Sequence, residues 1–364
     1  MPSLRRAAIA CLALVLVAGC AGSSGGGEAK TASTTTVADK ASTTTTTANI
    51  SAAPVGAVAT GPAVPSAGCG TTKGDAQSAV RHDIGDRYYL MTTPPGQDGT
   101  KPLPVVLDLH GLLEGAAVHS AMTKFGPYAA EHGFIAVIPH GSGEPVKWDV
   151  SLDRKTNPDL VFLDAALDQI EKDQCVDTSR VYSTGLSYGA IMSSTIGCVM
   201  TDRIAAIAPV DGLTVPKGCK PDRAMPVLTF HGTQDPILLF NGGVANLGNI
   251  IGNGGNKTKP PAKVDLNGEG YPAAAASWAK QNGCTGEPID TDRTPSVIER
   301  TWACPAASPV VFEIMVDAGH SWPGSEFSQS IESVVGPTDM SIVGNDLIWE
   351  FFQRFQLPAA VAPA

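Results

Sequence analysis

The chain has 364 residues, of which 43% are hydrophobic and 16% charged, and its formal net charge is −10. This length suits one large domain with extended ends or two average domains. The acidic charge, and the lack of a Lys/Arg run interleaved with aromatic residues, argue against nucleic-acid binding.

The N-terminus has the features of an export signal. Arg5 and Arg6 precede an apolar stretch, residues 7–18, that is too short to span a bilayer. The stretch ends in Val-Ala-Gly-Cys, which resembles a bacterial lipobox, with Cys20 as the lipidated residue. We expect a lipoprotein signal peptide over 1–19 and an exported protein of the cell membrane or envelope, either retained there or released. The alternative is an ordinary signal peptide cut nearby, with Cys20 incidental.

Composition divides the rest of the chain. Residues 20–66 are rich in Thr, Ser, Gly and Pro and show no apolar periodicity, which predicts a disordered tether. Residues 67–358 are predicted to form one catalytic domain, and 359–364 a short tail. Within the domain, the Gly- and Asn-rich segment 240–271 is a candidate lid or binding loop.

The pattern of the domain predicts an α/β protein. Short apolar runs predict strands at 87–91, 105–109, 134–138, 180–184, 204–210, 226–230 and 310–316. Helical spacing is seen at 159–173, 190–200 and 342–355. Short strands that alternate with amphipathic helices indicate a mostly parallel central sheet with helices on both faces.

Eight cysteines are present, of which Cys11 leaves with the signal and Cys20 would carry lipid. The other six are Cys69, Cys175, Cys198, Cys219, Cys284 and Cys304. An even number in an exported protein suggests disulfides, and six cysteines allow fifteen connectivities. No C-x-x-C or H-x-x-x-H spacing points to a structural zinc site, and we expect neither a metal nor a cofactor.

The segment 185–189 reads G-L-S-Y-G and matches the G-x-S-x-G nucleophile elbow. An apolar strand precedes it and a helical pattern follows, which is the context that this motif requires. The motif predicts Ser187 as a nucleophile in an α/β-hydrolase fold. The structural alternative is a Gly-rich helix N-terminus that caps itself.

A serine nucleophile needs a histidine base and a carboxylate that orients it, in the chain order Ser, acid, His in this fold. His320 is the one histidine after Asp235, and each follows a predicted strand. We therefore predict a triad of Ser187, Asp235 and His320, with Asp211 as the alternative acid. His231 is predicted to pack beneath the site.

Acyl transfer also needs two N–H donors for the oxyanion. We predict the amides of Tyr188 and Leu112, with Gly111 as the alternative to Leu112. His119, His132 and His140 have no partner at a useful spacing and are predicted to be surface or core residues.

These motifs together resemble the poly(3-hydroxybutyrate) depolymerase-like and feruloyl esterase family, grouped as carbohydrate esterase family one, and are closest to actinobacterial esterase lipoproteins. The matching segments are 109–111, 185–189, 204–210, 231–236, 241–243, 278–284, 319–324 and 348–352. The resemblance implies an α/β-hydrolase with the triad above and a disulfide between Cys284 and Cys304. The chain departs from the family pattern at 112–114 and at Tyr188.

The resemblance implies a secreted serine esterase that forms an acyl-enzyme. Three substrate classes remain open: feruloyl or acetyl esters on plant polysaccharide, hydroxyalkanoate polyesters, and small lipid-like esters. Trp148, Trp278 and Trp322 are candidates for stacking on an aromatic acid or a sugar, or for packing. Two other functions stay open, an envelope acyltransferase and a non-catalytic anchored binding protein. The sequence predicts no oligomeric state.

Overall fold

The computed structural model describes residues 59, 61–71, 76–244 and 263–358. Within these ranges the chain forms one ten-stranded sheet. Its strands are β1 (Gln77–Ile84), β2 (Arg87–Thr93), β3 (Leu103–Leu109), β4 (Ile135–Pro139), β5 (Val176–Leu186), β6 (Ala206–Val210), β7 (Val227–Gly232), β8 (Thr285–Thr294), β9 (Val297–Ala303) and β10 (Val310–Met315). The predicted signal peptide (1–19), the predicted lipidated residue Cys20 and the predicted tail (359–364) lie outside the described residues.

The helices of the described residues connect these strands. They are α1 (Gly115–Thr123), α2 (Phe125–His132), α3 (Pro158–Asp173), α4 (Tyr188–Val199), α5 (Tyr271–Gln281), α6 (Glu326–Ser330), α7 (Glu332–Val335) and α8 (Gly344–Phe352). In the described part of the chain, no helix has the length and apolar character needed to cross a membrane.

The strand order is β1-β2-β4-β3-β5-β6-β7-β10-β9-β8. The six central strands, from β4 to β10 in this order, pair in parallel, and an antiparallel hairpin flanks them at each edge. The predicted mostly parallel α/β sheet is therefore confirmed. Parallel strands end at a common edge, so the loops after β3, β5, β6, β7 and β10 lie together.

The sheet is covered on both faces because its central strands are apolar on both sides. In β3, Val105 and Leu107 point into a core that contains α3, α4 and α5, whereas Val106 points into a second core with α1, α2 and α8. Helix α3 begins after Asn157, whose side chain accepts hydrogen bonds from two amides of the first turn. The core thus holds the strand ends of the parallel sheet in fixed positions.

Three parts of the fold differ from the sequence-based expectation. Strand β1 was not predicted because its residues are mostly polar and exposed. The β8–β9 hairpin was not predicted because β8 is polar and mostly exposed along its length. Residues 61–66 were assigned to the tether, but the amide of Val64 donates to the carboxylate of Asp177 (2.9 Å) and that of Ser66 to the carbonyl of Val176 (2.9 Å). Long-range hydrogen bonds of this kind leave no trace in local composition.

Three disulfides join Cys69 to Cys175, Cys198 to Cys219 and Cys284 to Cys304. The pair at Cys284 and Cys304, expected from the family resemblance, is present. The first disulfide lies beside the docked residues 61–66 and closes a loop across 106 positions. Long loops gain the most from cross-linking, so this bond holds the N-terminal segment of the domain against the sheet.

Of the candidate lid 240–271, residues 245–262 lie outside the described residues. The flanking parts are firmly held. Phe240 is buried in the core, and the Asn241 side chain bonds to the backbone of Asp265 and Glu269. The Tyr271 ring stacks on His231, with ring centroids 3.5 Å apart.

Candidate active site

Ser187 occupies the sharp turn between β5 and α4. Its φ of 59° and ψ of −117° lie in a region that non-glycine residues rarely adopt, so the backbone is strained there. Its amide donates to the carbonyl of Val210 (2.9 Å), and its carbonyl accepts from the amide of Ile191 (3.0 Å). These two bonds hold the strained residue with its side chain partly exposed at the sheet edge.

The two glycines of the elbow motif are required by close packing against β3. A Cβ atom on Gly185 or on Gly189 would overlap the carbonyl oxygen of Leu109. Neither residue has a positive φ, so the requirement comes from the neighbouring strand and not from the turn itself. The spacing of the motif therefore reflects the approach of β5 and α4 to the end of β3.

Asp235 and His320 meet at the same edge. Asp235 follows β7 and His320 follows β10, and these two strands are parallel neighbours. His320 Nδ1 lies 2.7 Å from Asp235 Oδ2, and both side chains are buried. The other carboxylate oxygen accepts from the amides of Ile237 (2.7 Å) and Leu238 (2.9 Å). The carboxylate is thus held in one orientation toward the imidazole.

Electrostatics favour an ionised carboxylate and a basic imidazole. Burial alone would raise the pKa of Asp235, but the charges and hydrogen bonds of His320 and His231 lower it well below its ordinary value. Burial alone would lower the pKa of His320, and the Asp235 carboxylate outweighs this and raises it. Asp235 therefore stays charged near neutral pH and strengthens His320 as a base.

Asp211, the alternative acid, has a different set of partners. Its carboxylate accepts from the amides of Gly232 (3.1 Å) and Ser321 (2.8 Å), so it holds the backbone next to His320. Burial, with the nearby charge of Asp235, raises the pKa of Asp211 to about 6. One carboxylate oxygen of Asp211, one of Asp235 and one imidazole nitrogen of His320 lie within 4.8 Å of one another. Of the two carboxylates, Asp235 is the one that makes the hydrogen bond with His320 Nδ1.

His231 lies beneath this group, as the sequence predicted. Its Nε2 is 2.8 Å from the carbonyl of Leu238 and 3.3 Å from Asp235 Oδ2, and its Nδ1 is 3.6 Å from Asp211 Oδ1. The ring is 1% exposed. His231 therefore packs the loop after β7 onto both carboxylates.

The two predicted oxyanion donors come from different segments of the chain. The Tyr188 amide is the first of α4, and the Leu112 amide lies in the loop after β3. Neither donates to an acceptor within the described ranges. The Gly111 amide, the alternative to Leu112, already donates to Glu114 Oε2 at 2.8 Å. This contact favours Leu112 as the free donor.

The three tryptophans predicted as substrate contacts are all buried, with exposures of 1% for Trp148, 0% for Trp278 and 2% for Trp322. Their indole N–H groups donate to the carbonyl of His110, the carbonyl of Thr214 and the side chain of Asn345, respectively. The structure corrects this part of the prediction, because a ring packed on both faces cannot stack on a ligand. Trp148 instead supports the loop after β3.

Sequence reasoning missed one group of residues at the site. Asp108, Glu114 and His119 were not assigned a role, and His119 was predicted to have no useful partner. In the structure, His119 lies between the two carboxylates, 2.8 Å from Asp108 Oδ1 and 3.2 Å from Glu114 Oε2. The sequence signal was weak, since His119 follows Glu114 by five positions and Asp108 by eleven. The available clue was that three polar, ionisable residues lie close in sequence to the predicted oxyanion donor Leu112.

The fold and this geometry define the class of protein. A parallel sheet covered on both faces, a serine on a strained strand-to-helix turn, and an Asp–His pair at the carboxyl edge in the order Ser, Asp, His are the features of an α/β-hydrolase. The predicted fold class is confirmed.

Comparison with known proteins gives the relatives. No protein-family model matches the chain. The chain is 32% identical over 213 residues to feruloyl esterase B of Piromyces equi, covering 56% of this chain and 37% of that one. It is 28% identical over 205 residues to a probable feruloyl esterase C of Aspergillus niger, covering 55% of this chain and 72% of that one. The resemblance to feruloyl esterases that the motifs indicated is confirmed.

Another relative is a bifunctional acetylxylan esterase/xylanase of Neocallimastix patriciarum, 30% identical over 137 residues, which cover 38% of this chain and 20% of that one. The chain thus spans well under half of the length of two of these three relatives. Among solved structures, an acetyl xylan esterase from Aspergillus awamori has a TM-score of 0.49 at 13% identity and covers 80% of this chain and 100% of its own.

Proposed function

We propose that this protein is a serine carboxylic-ester hydrolase that works through an acyl-enzyme on Ser187. The observation that carries the proposal is the 2.7 Å contact between His320 Nδ1 and Asp235 Oδ2, at the sheet edge where Ser187 is held on its strained turn. The names of the relatives, all of them esterases, support the same reaction class.

In the proposed reaction, Ser187 Oγ attacks the ester carbonyl while His320 Nε2 takes its proton. Asp235 accepts a hydrogen bond from Nδ1–H, which leaves Nε2 free as the base and stabilises the imidazolium that forms. The amides of Leu112 and Tyr188 donate to the oxyanion. His320 then protonates the leaving alcohol, and water activated by His320 attacks the acyl-enzyme carbonyl and regenerates the Ser187 hydroxyl.

The covalent step is tested by labelling. We expect a fluorophosphonate probe to modify the full chain with one equivalent, located on the peptide that contains Ser187, in parallel with loss of p-nitrophenyl ester hydrolysis. The exposed Ser277, whose hydroxyl bonds to its own helix, serves as the internal control and should remain unlabelled. Hydrolysis that persists after stoichiometric labelling of Ser187 would contradict the proposal.

The proposed substrate is a feruloyl or acetyl ester of the type attached to plant polysaccharide. The relatives' names support this class. A cavity of about 360 Å³ includes Ile191, one helical turn after Ser187, together with Val150 and Thr214 in its wall. Its volume and mixed lining suit a small organic group. Comparison of kcat/KM for p-nitrophenyl ferulate, p-nitrophenyl acetate and p-nitrophenyl butyrate, which share one leaving group, tests the assignment, and a preference for the butyrate would contradict it.

We also propose that the protein is exported and anchored by lipid at Cys20. The lipobox-like sequence that ends at Cys20 and the three disulfides, which require an oxidising compartment, support this proposal. In a bacterial host, we expect the full chain in the membrane fraction and the Cys20→Ser variant outside it, because two or more acyl chains are needed for stable anchoring. Equal partitioning of both proteins would count against the anchor.

A further inference from the structure

The loop that carries the predicted oxyanion donor Leu112 is held on both sides. The Gly111 carbonyl lies 2.7 Å from His110 Nδ1, which donates to it, and the Gly111 amide donates to Glu114 Oε2 at 2.8 Å. The amide of Leu113 donates to the carbonyl of Val146 (3.0 Å). The backbone groups on either side of the Leu112 N–H are therefore held by hydrogen bonds. The Leu112 N–H itself has no acceptor among the described residues.

Glu114 provides the side-chain contact in this arrangement, and it is itself restrained. Its Oε2 lies 3.2 Å from His119 Nδ1, and His119 Nε2 lies 2.8 Å from Asp108 Oδ1. The second oxygen of Asp108 accepts from the hydroxyl of Thr123 (2.8 Å). Asp108 and His119 are fully buried, and Asp108 belongs to β3. A chain of hydrogen bonds thus connects the central sheet to the oxyanion loop.

Charge explains why a carboxylate can lie so near an oxyanion. Burial alone would lower the pKa of His119, but the two carboxylates outweigh burial and raise it to about 10, so the imidazole is protonated near neutral pH. The His119 imidazolium partly offsets the negative charge of Glu114 at the oxygen that accepts from the Gly111 amide. Charge remaining on Glu114 also favours protonation of His320, as the transition state requires.

We propose that Glu114 is a positioning residue for ester hydrolysis: through the chain Asp108–His119–Glu114, it holds the Gly111 amide and so directs the Leu112 N–H at the oxyanion. This inference rests on the proposed function and deepens it. It assigns a role to Glu114, which lies in the segment 112–114 where the chain departs from the family pattern. Glu114 does not touch the reacting atoms, and its effect passes through the loop.

The test compares Glu114→Ala and Glu114→Gln with the unaltered full chain. Glu131→Ala is the matched control, since Glu131 is an exposed glutamate on α2. We expect Glu114→Ala to lower kcat for p-nitrophenyl acetate by about 10- to 100-fold, less than complete removal of a donor, with KM within about twofold. We expect affinity for a boronic acid that forms a tetrahedral adduct with Ser187 to fall by the same factor.

Glu114→Gln separates the geometry from the charge. The amide oxygen of Gln can still accept from the Gly111 N–H, so kcat should recover to within about fivefold of the unaltered protein. Because the charge is lost, the acid limb of the pH profile of kcat/KM should move to lower pH. This variant also keeps the test valid if Glu114→Ala fails to fold.

Equal kcat and boronate affinity in Glu114→Ala and Glu131→Ala would overturn the inference and leave the proposed function intact. A Glu114→Gln variant as impaired as a folded Glu114→Ala, with no movement of the pH profile, would also overturn it. Absence of any Ser187-dependent hydrolysis in the unaltered protein would instead overturn the proposed function, and this inference with it.

Discussion

Replacement of Ser187 by alanine should lower kcat for p-nitrophenyl esters by a factor on the order of 10⁶, because no acyl-enzyme can form without the hydroxyl. Serine and alanine have the same backbone constraint at a φ of 59°, so the strain of the elbow is unchanged by the substitution. The thermal midpoint should therefore stay close to that of the unaltered protein. Steady-state kinetics and a thermal melt of the full chain measure both quantities.

The matched control for this prediction is Ser277→Ala on the exposed face of α5, which should retain full activity. Residual hydrolysis in Ser187→Ala within about tenfold of the unaltered protein would show that another group performs the reaction. Loss of activity with a large fall in the thermal midpoint would mean that the elbow had been disrupted, and the role of the hydroxyl would then be tested by the labelling experiment.

Asp235→Asn should lower kcat/KM by about 10⁴-fold. The side-chain oxygen of Asn can still accept from the amides of Ile237 and Leu238, so the loop after β7 keeps these two hydrogen bonds. Its NH₂ group, however, would donate to His320 Nδ1, which places the imidazole proton on Nε2. In that tautomer, Nε2 cannot take the proton of Ser187.

The pH profile gives a second readout of the same change. His320 must be neutral to act as a base, so kcat/KM should fall as the pH is lowered through the pKa of His320. Asp235 raises that pKa, and we expect the acid limb of the unaltered protein to lie above the ordinary histidine value of about 6.5. Loss of the Asp235 charge should move the remaining activity of Asp235→Asn to lower pH.

Asp211→Asn is the control that separates the two acids. Within the described residues, the hydrogen bonds that Asp211 accepts come from two backbone amides. The side-chain oxygen of Asn can still accept from one of these amides, so we expect Asp211→Asn to lower kcat/KM by about tenfold or less. A greater loss in Asp211→Asn than in Asp235→Asn, in proteins of equal stability, would make Asp211 the catalytic acid.

Local sequence patterns were sufficient for much of the fold. The apolar runs at 105–109, 180–184 and 310–316 became β3, β5 and β10, and the helical stripe at 159–173 became α3. Buried strands and amphipathic helices are readable because each residue's environment repeats with the period of its element. The polar β8–β9 hairpin has no such period, since ion pairs such as Arg300–Asp290 hold it in place of an apolar face.

By itself, the sequence determined the class of protein and the candidate nucleophile, base and acid, because the elbow motif is local and the order of the three residues is a property of the chain. The tertiary structure decided what depends on strand order. It placed Asp235, rather than the neighbouring Asp211, within hydrogen-bonding distance of His320 Nδ1. It also paired the Gly111 amide with Glu114 and buried the three tryptophans. It also joined Asp108, His119 and Glu114. These contacts depend on how strands and helices distant in sequence pack together, and hydrophobic periodicity does not encode that arrangement.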